Sequence, residues 1–194
     1  MRSITIVALS FLSFYSISTT AATLDVQSGI LMGAFDVDVN GTLYDVQFLG
    51  GTCPELYQGC DETSDFLFTT LADAQSASNA LLDQVFVNGP DGNFDSDPNL
   101  TNSCSGGSSQ CVAYTFYGFG ATAADTVVAI NRSGTTSDIL NNGTTTYTFD
   151  LGSAANNNKT VAVWTQSAAV PVPAAVWLFG SALGLLGWMR RKKA

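Results

Sequence analysis

The sequence predicts an α+β fold, an antiparallel β-sheet with one packed helix. Three observations lead there. Two segments of alternating apolar residues flank Asn40-Gly41. One stretch, Leu71 to Phe86, spaces its apolar residues as a helix does, and a series of short β-rich segments separated by polar turns follows it.

In chain order, Ile30 to Val39 is rich in β-formers and ends in alternating Phe35, Val37 and Val39. Asn40 and Gly41 both tolerate positive φ, which a two-residue hairpin turn demands. Thr42 to Leu49 resumes the alternation through Tyr44, Val46 and Phe48. Gly50-Gly51 and a first cysteine loop come next, and Asp65 to Phe68 reads as a short extended segment. Leu71, Ala74, Ala77 or Ser78, Leu81, Leu82 and Val85 then form one helical face, with Thr69 or Thr70 placed to cap it. Gly89 to Gly107 reads as loop. Val112 to Phe119, Thr126 to Ile130, Thr144 to Leu151 and Thr160 to Thr165 read as strands. Asn131 to Gly143 and Gly152 to Asn158 read as polar turns. No internal repeat is visible.

The two ends have a different character. Met1-Arg2, the mostly apolar Ile4 to Ile17 and the small residues Thr20-Ala21-Ala22 have the layout of a secretory signal peptide over 1–22, cleaved after Ala21 or Ala22. No cysteine follows that site and no twin-arginine pair precedes it, which favours the general secretory route without lipidation. At the other end, residues 168–194 hold a linker, a proline-bracketed turn and an uncharged run, 174–189, that stops at Arg190, Arg191, Lys192 and Lys193. As a helix the run spans roughly 24 Å, short of a ~30 Å hydrocarbon core but able to insert if the flanking cations snorkel. The basic cluster keeps the C-terminus cytoplasmic, so the exported domain, 23–167, faces outward. Gly180, Gly184 and Gly187 share one helix face, where another helix can approach closely.

This tail resembles the PEP-CTERM sorting signal of Gram-negative bacteria. Val170-Pro171-Val172-Pro173-Ala174 is similar to its VPLPA variant, with Val172 at the third place and no Glu. The resemblance covers only about the last 25 residues. It implies that the chain is a substrate of exosortase, a membrane-embedded cysteine protease that removes the helix. It also implies a transient inner-membrane intermediate and delivery to the cell surface, often in bacteria that make exopolysaccharide. No catalytic residue is implied.

Between the two signals the chain is strongly acidic. All 16 acidic residues lie there, against only Arg132 and Lys159, a net charge of −14. Such a surface repels nucleic acid and anionic lipid and attracts cations. With no histidine, the chain lacks the commonest metal ligand and general base. Cys53, Cys60, Cys104 and Cys111 form two pairs separated by seven residues. In an exported chain they read as disulfides, and loop closure favours Cys53 with Cys60 and Cys104 with Cys111. Tetrahedral zinc is disfavoured by the long intervening stretches.

Asp91, Asn93, Asp95 and Asp97 alternate through one loop, the kind of oxygen set a hard cation such as calcium takes. An EF-hand fails there, with Ser96 where glycine belongs and Asn102 where glutamate belongs. Asp36 to Gly41 matches half of the same pattern and is better explained by the hairpin turn. A serine or cysteine nucleophile would need Lys159 or a carboxylate as its base, and no G-x-S-x-G occurs. Paired carboxylates, Asp61-Glu62 or Asp95 with Asp97, have the composition of a glycosidase pair. Tyr57, Tyr114, Phe116, Tyr117 and Trp164 suit either a sugar platform or a core. The expectation is a non-catalytic exported surface or matrix protein. The alternatives are a polysaccharide-binding module, assisted by calcium, and an extracellular hydrolase.

Overall fold

The computed structural model describes residues 21–57, 59–120, 123–134, 137–146, 150–153 and 156–168. The signal peptide proper, the sorting motif, the apolar run and the basic cluster lie outside them. Strands β1 (Thr23–Gln27), β2 (Ile30–Val39) and β3 (Thr42–Leu49) form an antiparallel meander. Its turns are Ser28-Gly29, with φ of 54° and 83°, and Asn40-Gly41, with φ of 55° and 84°. Both have the left-handed pair that matches a tight turn to strand twist.

After β3 the chain forms a single helical turn, α1 (Cys53–Leu56), then a 3-10 turn over Thr63–Asp65; of the expected extended segment Asp65 to Phe68, Asp65 ends that turn and Phe66 has extended backbone. The helix α2 (Leu71–Ala80) follows, with the Thr70 hydroxyl accepting from the Asp73 N–H at 3.2 Å. The predicted helix continues to Val85 as a wider π turn, closed by Phe86 N–H donating to Leu81 C=O. That extra width lets Leu81, Val85 and Phe86 all be buried. The expected loop holds a two-stranded ribbon, β4 (Asn88–Gly89) and β5 (Gly92–Asn93), and a 3-10 turn at Pro98–Leu100.

A second antiparallel meander follows: β6 (Gln110–Phe119), β7 (Ala123–Arg132) and β8 (Ile139–Thr146). β8 begins inside the expected Asn131–Gly143 turn and ends before the expected Leu151. Asn141-Asn142-Gly143 has turn composition, yet β7 supplies a full ladder and the Asn142 side chain accepts from Gln75 of α2 at 3.1 Å. Leu151 makes only an isolated bridge to Gly51.

The last strand, β9 (Lys159–Gln166), enters between the meanders, giving the order β1-β2-β3-β9-β6-β7-β8. It is antiparallel to β3 and parallel to β6. The sheet is therefore mixed, where a wholly antiparallel one was expected. The reason is directional: β3 and β6 run oppositely, so a strand between them must be parallel to one. Burial on both faces suits β9, whose Thr160, Val161 and Ala162 are fully buried.

Successive side chains alternate across the sheet. One face carries Val46, Phe48, Ala113, Val127, Ala162 and Trp164 against α2, Phe86 and Phe94. The opposite face carries Phe116, Ala124 and Val161 against Cys53, Cys60, Phe66 and Leu151. Among the described residues no helix is long and apolar enough to cross a membrane.

Candidate functional site

The side chains of the acidic loop make local hydrogen bonds around one buried ring. Phe94 turns inward and is fully buried, and its C=O accepts from the side-chain amide of the buried Asn131 at 2.7 Å. With Phe94 pinned to β7, the flanking acids take local tasks. Asn88 donates to Asp95 at 3.1 Å and to the Ser96 hydroxyl at 2.7 Å, while Ser96 N–H donates back to Asn88. Asp97 accepts from Asn99 N–H at 3.3 Å and from the Asn99 amide at 3.1 Å, capping the 3-10 turn. Asp91 sits at the ribbon turn on the rim of a separate cleft. Among the described residues no three Cys, Asp or Glu side chains converge as a metal-holding group.

The carboxylate within electrostatic reach of Asp95 is Asp138, just ahead of β8. Burial pushes Asp138 up from the ordinary carboxyl value. The Arg132 N–H, donating at 2.7 Å, and the Arg132 charge oppose that rise, while the Asp95 charge adds to it. The two acids are 43 positions apart in the chain; the end of β7 holds both, through Asn131 donating to the Phe94 C=O and Arg132 N–H donating to Asp138. No local spacing could have signalled the pair.

The aromatic residues are divided between the two cores. Tyr57, Phe66 and Phe116 pack together with centroids 5.0 to 5.6 Å apart, on one face of the sheet. Tyr114 packs against this same cluster, and burial raises the hydroxyl pKa of both Tyr57 and Tyr114. Trp164 lies on the other face, 5.6 Å from Phe68, and donates its indole N–H to the buried Thr115 hydroxyl at 3.2 Å. Tyr117 packs on that same face. The five residues considered for a sugar platform therefore do not share a surface.

Cys53 is bonded to Cys60 and Cys104 to Cys111, with Cα atoms 5.7 and 5.5 Å apart. The first loop is also held by carboxylates. Glu55 accepts from Thr52 N–H at 2.7 Å and from the Thr52 hydroxyl at 2.9 Å. Asp65 accepts from the N–H groups of Asp61 and Glu62 at 2.9 and 3.1 Å. Asp61-Glu62, considered as a catalytic pair, thus supplies backbone donors to a turn. The second loop is tied down by Gly106 N–H donating to Asn157 C=O at 3.0 Å.

A cleft of about 730 Å³ lies between the start of β1 and the β4–β5 ribbon. Ala21 to Leu24 form one wall; Asp83, Gln84, Val87 and the Asn88–Gly92 turn form the other. Gln84 is occupied by the backbone of Asp38, which it clasps at both N–H and C=O. Among the described residues the cleft offers two carboxylates beside small and apolar side chains, with no aromatic ring and no Lys, Arg or Cys in its lining.

No protein-family model matches the chain, and neither curated proteins nor solved structures gave a match.

Proposed function

We propose that this chain is a non-catalytic exported protein of a Gram-negative cell surface or extracellular matrix, matured at both ends. The general secretory route takes it through the inner membrane, and signal peptidase removes residues 1–22. The 174–189 helix then holds it transiently in the membrane until exosortase cuts in or near the Val170–Ala174 motif. The carrying observation is the tail: a proline motif, an uncharged run and a four-residue basic stop, in that order, at the C-terminus.

Other features support the reading. Two disulfides suit an oxidising compartment. A body charge of −14 keeps an extracellular domain soluble. Tyr57, Tyr114, Phe116, Tyr117 and Trp164 pack into two separate cores, which favours a structural role over a sugar-binding one. Top-down mass spectrometry of the surface form, from a host that has exosortase, tests it. The expected species lacks Trp177 to Ala194 and carries two disulfides. An intact C-terminus on that form would remove the sorting claim and leave a plain membrane anchor.

A further inference from the structure

The two outer strands of the sheet differ in a way that bears on assembly. An edge strand leaves alternate N–H and C=O groups unpaired, a template for another strand, and proteins usually blunt it with charge, proline, a bulge or shortness. The β1 edge has three of these defences. It is five residues long, its register against β2 shifts between Asp25 and Val26, and it carries Asp25. The β8 edge has none. Its eight residues, Ile-Leu-Asn-Asn-Gly-Thr-Thr-Thr, include no charge and no proline. They pair with β7 in unbroken register from Ile130↔Ile139 to Ala123↔Thr146. Asn141, Asn142 and Thr144 are exposed.

We propose that β8 is a self-association edge, pairing antiparallel with β8 of a second copy of this chain. Charge selects where identical copies can meet. Each body carries −14, so most approaches set carboxylates against carboxylates, whereas β8 is a regular edge with no charge. Side-chain chemistry agrees: the Asn142 side chain already accepts from Gln75 of its own α2 at 3.1 Å, while the exposed Asn141 and Thr144 can hydrogen-bond across a self-pair. Edge asymmetry limits the product. With β1 defended, only one edge can pair, and an edge paired with its own copy closes as a two-fold dimer that cannot extend into a fibre. The inference does not depend on how the tail is processed.

The test is sedimentation velocity on the purified disulfide-bonded chain, in detergent if the tail is retained, with the wild type compared with Asn141→Pro and Asn142→Pro. Adjacent residues of a strand aim their N–H groups in opposite directions, one toward β7 and one outward. The variant that loses the outward group should keep the wild-type melting temperature and weaken the dimer roughly tenfold or more. The other should destabilise the fold. Hydrogen exchange on the wild type gives a second readout independent of either variant, because alternate β8 amides should gain protection as concentration rises. A wild-type body that stays monomeric with concentration-independent β8 exchange overturns the proposal. So does a dimer unchanged in both folded variants, or a different polypeptide found paired along β8.

Discussion

The two faces of the sheet are held by different physics. Under α2, the core runs from Leu31 on β2 to Val127 and Ala129 on β7, with Phe48, Phe86, Phe94 and Leu81 fully buried. Phe86 stacks on Phe48 at 5.3 Å and 19°. The other face has a smaller patch around Phe116, Ala124 and Val161, and a cross-linked loop lies over it. Where a long amphipathic element is available, apolar area alone can hold the layer. Where the cover is one helical turn and a bend, burial is small. The cover is then fixed by a disulfide, by carboxylates on backbone N–H groups and by a cluster of three rings. The contrast predicts that the first face fails by losing volume and the second by losing cross-links and charge.

The largest effect should come from the helix face. Phe86→Ala removes a fully buried ring stacked on Phe48 and should cost about 3–5 kcal/mol. Chemical denaturation measures it, and a loss below about 1 kcal/mol would mean that the π turn relaxes to refill the space. Next is the stapled face. Cys53→Ser with Cys60→Ser opens a loop of seven-residue separation, worth about 2.5 kcal/mol by loop-closure entropy. Near-ultraviolet circular dichroism should report loosening of the Tyr57, Phe66 and Phe116 rings while α2 amides keep their exchange protection. Equal loss of protection on both faces would show that the loop and helix unfold as one unit, and the comparison would fail.

Much of this arrangement is legible in local sequence, and the exceptions have a common cause. Asn40-Gly41, Thr70 ahead of the apolar helical face, and the two short cysteine spacings each signal structure within a few residues, and each forms as the local chemistry dictates. The place of β9 is set by partners more than 100 residues away on β3, such as Trp164 against Val46. No local pattern reports that insertion or the parallel β6–β9 pair that comes with it. Asn141-Asn142-Gly143 misleads for the opposite reason: its composition favours a turn, and tertiary pairing with β7 overrides it. In the acidic loop, too, a distant partner sets the arrangement: Asn131 donates to the Phe94 C=O, and beside it Asp95 accepts from Asn88 and Asp97 from Asn99.

The smallest effect separates the faces by pH. Backbone donation from Thr52, then its hydroxyl, holds Glu55 below its ordinary carboxyl value of 4.5. Backbone donation from Asp61, then Glu62, holds Asp65 below 3.8. A carboxyl lowered by folding stabilises the fold fully above its ordinary value, and that contribution disappears as pH falls through the lowered one. Both groups are solvent-exposed, so screening keeps the effect local. Asp138 has the opposite sign, because burial raises its value and protonation there favours the folded chain. Acid should therefore loosen the stapled face selectively. The relevant comparison is between protection factors, corrected for intrinsic exchange, at pH 6 and near pH 3. The amides of Thr52, Asp61 and Glu62 should lose protection first, while Ala74 and Phe86, whose N–H groups donate to the backbone oxygens of Thr70 and Leu81, keep theirs. In Glu55→Gln with Asp65→Asn, those three amides should be weakly protected at both pH values. If they remain pH-dependent in the double variant, the acid response comes from relief of general repulsion in the −14 body, and these two carboxylates are not what anchors the loop.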